Sequence, residues 1–339
     1  MELSATSVEK KKKKRGFWRP GIGREGSKRQ FVTWAVLPMA LYMAFFSVLP
    51  ILWAAALAFF EYSARREGGP ILGLGGDNPF VGLQHFRAML NFSADAPLEV
   101  RQFHIGVKTT LLFAFLVVPL NLALTLPLAA MIESVGSRLR LAFRTIFFLP
   151  IVTSSVGVAI MWGYIFHPQR GLLNGFLTAV LGKLTVINWT GDQALVFGGV
   201  PVALIAVIIA YLWQDLGYNL IIFIAALQAI PDSLKDAAIV DGANGRQLFF
   251  NVILPLLKPT ILLTAILTMI SAFQVFDIIQ VMTRGGPNEQ TRVMVIDIYD
   301  SAFRFQRMGW AAAVSIVLFL LVLIISLVQN RLLRSEWEY

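Results

Sequence analysis

Polar side chains inside long apolar stretches are the residues of this sequence whose types could bind a polar solute. Such groups are costly in lipid, and they usually face the interior of a helix bundle or a water-filled cavity. Asp215 and Asn219 are four residues apart and share a helix face, and Gln274 lies three residues before Asp277 in a later apolar stretch. The candidate solute-contacting residues are Asn121, Gln214, Asp215, Tyr218, Asn219, Gln274 and Asp277.

The same residues fit a second interpretation, in which they hydrogen-bond neighbouring helices to one another and touch no solute. Interhelical hydrogen bonds of this kind are common in membrane bundles, and spacing alone leaves both interpretations open. The stronger candidates for solute contact are the pair Gln214 and Asn219 and the pair Gln274 and Asp277.

The sequence contains no motif of a familiar catalytic or nucleotide-binding site. The patterns GxxxxGK[ST], HExxH and GxSxG are absent, and there is no cysteine. His85 and His104 have no acidic partner at metal-ligand spacing, which argues against a metal site. We therefore expect no catalytic residue, no metal site and no cofactor bound by this chain, and we do not expect an enzyme.

The composition is that of a membrane protein rather than a soluble domain. Of 339 residues, 57% are hydrophobic and 14% are charged, with a mean hydropathy of +0.68. Soluble domains carry about 25% charged residues, and a membrane-spanning helix needs about 20 apolar residues. The predicted fold is an all-α polytopic membrane protein with about six transmembrane helices, at residues 31–60, 107–132, 141–166, 200–229, 259–282 and 309–328.

Three regions are predicted along the chain: a basic tail at 1–30, a transmembrane domain at 31–330 and a short tail at 331–339. The first tail has a basic run at 10–15 and is expected to be mostly disordered. Nucleic-acid binding is the less favoured interpretation, because basic residues beside a first span typically hold that end in the cytoplasm, near lipid headgroups. Most of the 29 basic residues then fall in inside segments, so both termini are predicted to be cytoplasmic.

A polar segment, named here loop 230–258, separates the fourth and fifth apolar stretches. Asp232 is a good helix N-cap residue, and Asp236 is expected in the first turn, where the helix dipole favours negative charge. Gly242 permits a sharp turn, and Asn244 can cap a second short helix. The segment is predicted to form a helix, a glycine turn and a second helix on the cytoplasmic side of the membrane.

Loop 230–258 resembles the EAA loop of importer permeases of the ABC transporter superfamily. The pattern of that family is Glu-Ala-Ala, three residues, Gly, nine residues, Ile, one residue and Leu-Pro, and the matching positions are 236–238 (DAA), Gly242, Val252 and 254–255 (LP). The acid and the valine are conservative departures. The resemblance implies that the loop docks on a separate ATP-hydrolysing subunit. The implied docking residues are Asp236, Ala237, Ala238, Asp241, Gly242, Leu248 and Phe249.

Two further stretches resemble carbohydrate-class permeases of the MalF/UgpA type. Residues 80–86 (FVGLQHF) are similar to the FVGLxNF stretch of that class, with His85 at the asparagine position. Residues 283–291 (TRGGPNEQT) match its TxGGPxxxT pattern and are followed by residues 299–303 (YDSAF). Together with loop 230–258, the resemblance extends over nearly the whole chain after the basic tail.

This resemblance implies one membrane-spanning subunit of an ATP-driven importer in a bacterial inner membrane. The implied partners are a second, similar permease, a dimer of ATPase subunits that holds ATP and Mg, an extracytoplasmic solute-binding protein and the lipid bilayer. A sugar and a glycerol phosphate both remain open as the solute. The alternative is a stand-alone secondary transporter, which would need internal repeats and charged ion-coupling residues at mid-membrane. Asp215 is the single candidate of that kind.

Overall fold

The computed structural model describes residues 24–66, 68–71, 74–93, 95–182, 186–192 and 196–333. Most of the predicted basic tail lies outside this set, as do residues 334–339. The chain divides into two compact units, Met1–Ala54 and Ala55–Tyr339. In the first unit a helix begins at Arg24, so the last part of the predicted disordered tail is helical. Extending an existing helix costs far less than nucleating a new one, which explains this difference.

Most of the described chain is helical. In order the helices are α1 Arg24–Met43, α2 Leu49–Leu57, α3 Gln84–Met89, α4 Leu98–Ser134, α5 Ser137–Val152, α6 Ser155–Ile165, α7 Leu172–Leu181, α8 Val202–Ala229, α9 Asp232–Val240, α10 Gly245–Gln247, α11 Leu254–Leu256, α12 Lys258–Phe273, α13 Asp277–Met282, α14 Met294–Tyr299 and α15 Met308–Leu333. The π-helical segments are Ala44–Val48, Leu248–Ile253 and Asp300–Arg304. Two small antiparallel hairpins pair β1 Gly68–Ile71 with β2 Leu74–Gly76, and β3 Val196–Phe197 with β4 Val200–Pro201.

In the described part of the chain, five helices are long and apolar enough to cross a membrane. They are Val32–Leu57, Leu98–Ser134, Val202–Ala229, Lys258–Met282 and Met308–Leu332. A sixth crossing is present if α5 and α6, which are bent by 101° relative to each other, count as one span. The predicted all-α polytopic fold with about six spans is confirmed.

The second span begins at Leu98, earlier than the predicted start at 107. Pro97 precedes the first turn in a non-helical conformation, and Glu99 in that turn carries the charge that a helix dipole favours. Residues 98–106 mix polar and apolar side chains, and for this reason the hydropathy pattern assigned them to the preceding loop.

The third span, predicted at 141–166, is not one continuous helix. The chain is extended at Thr153 and Ser154, between α5 and α6. Pro150 lies in the last turn of α5 and removes a backbone donor there, which favours an early helix end. The carbonyl oxygen of Thr153 accepts a hydrogen bond of 3.0 Å from Nε2 of Gln214. A side chain of α8 thus restores hydrogen bonding that the break interrupts.

The fifth span is also interrupted, between α12 and α13. Residues 274–276 are not helical, and Phe276 has φ −138° and ψ −64°. Gln274 and Asp277, predicted as a pair three residues apart in one span, are therefore not on one continuous helix: Gln274 lies in the break and Asp277 begins α13. A spacing of three residues places two side chains on one face only while the helix is continuous.

Buried residues of α4, α8, α12 and α15 form the apolar core of the second unit. Phe113, Leu204 and Phe273 are among its fully buried side chains. Gly217 lets α8 approach α5 closely, because a Cβ atom there would overlap the carbonyl oxygen of Phe147. Such small residues at helix contacts are typical of membrane bundles, where close backbone approach replaces a hydrophobic driving force.

Candidate functional site

A polar cleft of about 420 Å³ lies where the breaks of the third and fifth spans face α8. Non-helical backbone at membrane depth is tolerated where it is buried in protein or lines a water-filled cavity. Ser155, directly after the first break, and residues 274–276, which form the second break, both line the cleft. The two interruptions therefore open onto one shared space.

Four of the seven predicted solute-contacting residues line this cleft: Gln214, Asp215, Gln274 and Asp277. The first two are neighbours on α8, Gln274 lies in the break of the fifth span, and Asp277 is the first residue of α13. The fold thus brings together side chains from two spans that the sequence had grouped only in local pairs.

Asn121 and Asn219 occupy a different environment, because both are fully buried between helices. Nδ2 of Asn219 donates to Oδ1 of Asn121 and to Oγ1 of Thr268, each at 2.7 Å. Nδ2 of Asn121 in turn donates to Oδ2 of Asp215 at 2.9 Å. These contacts join α4, α8 and α12, so the two asparagines hold helices together and do not line the cleft. This corrects their assignment as solute contacts.

Tyr218 is the third predicted residue that the structure separates from the cleft. Its side chain is 44% exposed, and it is not among the residues that line the cleft. Successive residues of a helix point in different directions, so a polar cluster in sequence need not face one space. Gln214 and Asp215 face the cleft, whereas Asn219 on the same helix is buried in the hydrogen-bond network.

The sequence analysis did not identify the other residues that line the cleft. They are Ser155, Tyr211, Ser271 and Phe276, with the aliphatic Ile151, Val275 and Ile278. Serine and tyrosine contribute little to hydropathy inside an apolar stretch, so no strong signal marks them. The two spans that break beside them could not be recognised from composition. Their hydroxyl groups, with the amides and carboxyl groups already named, give the cleft hydrogen-bonding groups suited to a polar solute.

Asn219→Ala tests whether the buried network is structural. The substitution leaves Asn121 and Thr268 without a shared donor, so we expect stability to fall by about 1–3 kcal/mol. Thermal unfolding in detergent measures this loss, and solute binding by the folded fraction should be unchanged. Gln274→Ala, at an exposed position in the cleft, is the matched control and should weaken solute binding at unchanged stability. Weaker solute binding by Asn219→Ala together with lower stability of Gln274→Ala would contradict these roles.

Loop 230–258 has the predicted helix, glycine turn and capped second helix. Gly242 follows α9 with φ +86°, a conformation that favours glycine. The side chain of Asn244 accepts a hydrogen bond from the backbone of Gln247, and the Gln247 side chain accepts one from the Asn244 backbone, each at 2.9 Å. This reciprocal capping box fixes the start of the second helical segment.

Two local predictions in this loop need correction. The N-cap residue of α9 is Pro231 with no side-chain cap, and Asp232 is the first helical residue. Asp232 accepts a hydrogen bond of 2.9 Å from Nζ of Lys235 instead of capping the helix. Because α9 begins directly after the proline, Asp236 lies beyond the first turn, where the helix dipole has little effect on it.

The surface of loop 230–258 exposes more apolar side chains than the resemblance indicates. Of the implied docking residues, Ala238, Leu248 and Phe249 are partly buried, and the exposed ones are Asp236, Ala237, Asp241 and Gly242. Three residues that are not among the implied docking residues, Ile239, Val240 and Phe250, are 57%, 85% and 53% exposed. Clustered exposed apolar residues mark interaction surfaces. These side chains are therefore further candidates for contact with a partner.

Both ends of loop 230–258 are fixed in the membrane bundle. Ile230 and Leu257 are 7% and 1% exposed and belong to one apolar cluster with residues of α4 and α8. Glu133, at the end of α4, forms ion pairs with Arg140 and Arg144 of α5. Its carboxylate also accepts a hydrogen bond of 3.2 Å from Nε2 of Gln228 on α8. A displacement of the loop would therefore be transmitted to several spans together.

The segment between the fifth and sixth spans packs back onto α4. Oγ1 of Thr291 donates to the carbonyl oxygen of Gly286 at 2.7 Å and lies 2.7 Å from Oγ1 of Thr283. The backbone N–H of Met294 donates to Oγ1 of Thr110 at 2.9 Å. The predicted turn at residues 283–291 is confirmed, and its two threonines close it.

Arg292 in this segment is at the centre of a buried ion network that the sequence analysis missed. Its guanidinium contacts Asp297 at 3.1 Å and Asp300 at 3.0 Å, and Arg304 contacts Asp300 at 3.1 Å. Burial raises the pKa of Asp297 above its ordinary value, and the Arg292 charge and hydrogen bond offset this only in part. Asp300 and Glu289 add further repulsion that raises the same pKa.

The two histidines considered as metal ligands make structural contacts. A ring nitrogen of His85 is 3.2 Å from the carbonyl oxygen of Phe60, and one of His104 is 2.8 Å from that of Met89. Within the part of the chain that the structure describes, no three His, Cys, Asp or Glu side chains are grouped so that they could hold a metal ion.

A bundle of apolar spans, a polar cleft at two span breaks and an anchored loop with an exposed apolar surface together define a membrane permease. The chain belongs to the family described as "Binding-protein-dependent transport system inner membrane component", whose sequence profile matches residues 123–336. It is a permease subunit of an ABC importer, as the sequence predicted, and this family consists of membrane permeases rather than enzymes.

Named relatives extend over almost the whole chain. The chain is 30% identical to the sn-glycerol-3-phosphate transport system permease protein UgpA of Pectobacterium atrosepticum, over 91% of this chain and 96% of the relative. It is 33% identical to UgpA of Yersinia enterocolitica, over 90% and 94%. It is 29% identical to the probable ABC transporter permease protein YurN of Bacillus subtilis, over 92% and 99%.

Solved structures support the fold. A bacterial ABC transporter involved in the import of the acidic polysaccharide alginate matches with a TM-score of 0.74 at 23% identity, over 93% of this chain and 99% of that chain. A bacterial alginate ABC transporter in complex with alginate pentasaccharide-bound periplasmic protein matches with a TM-score of 0.74 at 24% identity, over 91% and 96%.

Proposed function

We propose that this chain is one of two permease subunits of an ATP-driven importer and that loop 230–258 docks on a separate ATPase dimer. The ATPase subunits hold ATP and Mg, and an extracytoplasmic binding protein delivers the solute. The solute is a sugar or a glycerol-phosphate-type molecule. Both chain termini lie in the cytoplasm of a bacterial cell, on the same side as loop 230–258.

One observation carries this proposal: loop 230–258 exposes an apolar surface while both of its ends are buried in the bundle. More than half of each of Ile239, Val240 and Phe250 stays exposed in the chain alone, so a partner surface is the means of removing them from water. Ile230 and Leu257 tie the loop to α4 and α8. Force applied at the exposed surface therefore reaches the spans that border the cleft.

The mechanism follows from this connection. ATP binding closes the ATPase dimer, which displaces the docked loop 230–258 and, through its buried ends, α4 and α8. The cleft borders α8 and the two broken spans, so a rearrangement of these elements changes the side from which the cleft is accessible. A ligand shifts such an equilibrium only by its differential affinity for the two states, and ATP with the partner proteins supplies that difference.

The names of relatives support the choice of solute class. Two of the relatives described above are named as sn-glycerol-3-phosphate permeases, and the two solved structures are of alginate transporters, one of them with a periplasmic protein bound to an alginate pentasaccharide. Polyhydroxylated solutes are common to both groups. The hydroxyl, amide and carboxyl groups of the cleft can exchange hydrogen bonds with such molecules.

A stand-alone secondary transporter is the alternative function. It would require a charged residue that couples transport to an ion gradient, and Asp215 is a candidate at the appropriate depth. Asp215 instead accepts a hydrogen bond from Asn121 within the interhelical network and faces a cleft with a second acid, Asp277. A docking surface such as the one on loop 230–258 has no role in a transporter without partners.

Affinity purification through a tag on this chain tests the proposal. We expect the ATPase to co-elute with the wild-type protein and to be lost from Val240→Asp, because the charge would be buried in the docking interface. Phe197→Asp is the matched control: the residue is 76% exposed in β3, far from the loop in sequence, and its variant should retain the ATPase. Equal ATPase recovery from all three proteins would overturn the proposed docking site.

A further inference from the structure

The charge of the cleft is one-sided. Asp215 and Asp277 line it, and the described residues that line it include no Lys, Arg or His. Asp215 has an uncharged partner, the amide of Asn121, and among the described residues neither carboxyl group forms an ion pair. A carboxyl group carries no positive charge in either protonation state. The side of the cleft formed by this chain therefore offers nothing that compensates a negative solute.

Three arginines that follow the fifth span form ion pairs outside the cleft. Arg292 and Arg304 form the ion network between the fifth and sixth spans, and Arg307 contacts Glu99 at 3.0 Å. Sites that bind phosphate or carboxylate groups typically present Arg or Lys side chains in a geometry that matches those anions. These three arginines are thus committed to other acids. Arg284, the first basic residue after α13, is not among the residues that line the cleft either.

The N-terminal ends of two helices place partial positive charge at the cleft, but less than the negative charge of the two acids. The first residues of α6 and α13, Ser155 and Asp277, both line the cleft. An N-terminus of a helix corresponds to roughly half a positive elementary charge. One of these two ends already carries the Asp277 carboxyl group, and Asp215 adds a second acid, so the acids dominate the field in the cleft.

Three side chains of the cleft, Gln214, Asp215 and Asp277, offer acceptors to the hydroxyl groups of a solute. Nε2 of Gln214 is used by the Thr153 carbonyl oxygen at 3.0 Å and by Oγ of Ser155 at 3.2 Å, so the amide oxygen is the part of this side chain left to accept bonds. The carboxyl oxygens of Asp215 and Asp277 are further acceptors for solute O–H donors. Hydroxyl groups can satisfy such acceptors, whereas phosphate and carboxylate oxygens cannot.

We propose that Asp215 and Asp277 determine charge selectivity in this permease and exclude anionic solutes, so that the transported molecule is an uncharged polyhydroxylated solute. The inference rests on the proposed function and narrows its solute class. It separates this chain from relatives and structural neighbours that are named for a glycerol phosphate or for an acidic polysaccharide.

The test is solute binding by the complex that purifies with the tagged chain, placed in lipid nanodiscs without the solute-binding protein. Equilibrium retention of maltotriose is compared with that of sn-glycerol 3-phosphate, a uronate trisaccharide and spermidine at low ionic strength, where charge effects are least screened. We expect maltotriose to be retained at least about tenfold better than either anion, given two carboxylates within one cleft.

Substitutions of Asp277 and Asp215 test whether these two acids cause the preference for maltotriose over anions. Asp277→Asn is expected to lower the ratio of maltotriose retention to anion retention by at least about threefold, because one charge that repels the anion is removed. Asp215→Asn should lower the same ratio. Because Asp277 is exposed, its substitution should not impair folding, so a changed ratio in Asp277→Asn reports on charge. Asp77→Asn, at an exposed carboxylate outside the cleft, is the matched control and should leave the ratio unchanged.

Several results would overturn the inference: retention of an anion equal to that of maltotriose, stronger retention of spermidine than of maltotriose, or an unchanged ratio in Asp277→Asn. Absence of maltotriose retention would also overturn it. Co-elution of the ATPase is measured without solute, so the proposed function can stand when this inference fails. If the ATPase does not dock but the charge selectivity is observed, the proposed docking fails and the charge inference stands.

Discussion

Gly242→Asp is expected to reduce ATP-driven uptake by at least about tenfold while the protein still reaches the membrane. Gly242 has φ +86°, and a residue with a side chain in the left-handed region costs about 1–2 kcal/mol. A Cβ there would meet no atom of the chain within 4 Å, so the defect is confined to the turn and to its partner surface. ATP hydrolysis should continue without uptake, which is measured in proteoliposomes that contain the complex.

Gly245→Asp is the matched control for this prediction. Gly245 does not have a positive φ and is the first residue of α10, where a negative charge is favoured by the helix dipole. A Cβ at this position also meets nothing within 4 Å. The same charge three residues away should therefore leave uptake close to that of the wild type. Normal uptake by Gly242→Asp would contradict the role assigned to the turn.

Arg292→Met is expected to destabilise the protein by about 3–5 kcal/mol, because it leaves two acids buried without their partner. The side chains of Arg292, Asp297 and Asp300 are 7%, 2% and 6% exposed. A loss of this size exceeds what most single substitutions cause. It should be seen as a strongly reduced yield of folded protein and a lower thermal unfolding temperature in detergent.

Arg304→Met is the control within the same network. Its side chain is 62% exposed, so its ion pair with Asp300 should contribute at most about 1 kcal/mol.

The loss of stability in Arg292→Met should also become smaller as the pH falls. Without the guanidinium the pKa of Asp297 rises further above its ordinary value, so the folded state binds a proton more tightly than the unfolded state and gains stability on acidification. Equal effects of the two arginine variants would contradict a buried network.

The local features of loop 230–258 were predictable because they depend on a few neighbouring residues. Pro231, Gly242 and Asn244 act within one or two turns of the chain, through a missing donor, a positive φ and a capping side chain. The position of Asp236 was misjudged because the helix starts one residue earlier than a side-chain cap would place it. Exposure of Val240 could not be predicted, since burial depends on which spans surround the loop.

The cleft shows where such local inference stops. Gln214 and Asp215 were found because charged and amide groups are conspicuous in an apolar stretch, but Asn219 in the same stretch is buried against Asn121 and Thr268. The sequence contains no signal that distinguishes an amide facing a cavity from one facing another helix. Arg292 was also overlooked, since its partners at 297 and 300 become significant only when the segment is buried.

Hydropathy, the polar residues within the spans and the motif of loop 230–258 were sufficient to determine an all-α membrane permease, because each is a property of contiguous residues. The tertiary structure alone decided that the third and fifth spans break, that their breaks meet at α8, and which polar groups line the resulting cleft. The physical reason is that the break at Thr153 is stabilised by Gln214, a hydrogen bond between distant residues. No local pattern specifies such a contact.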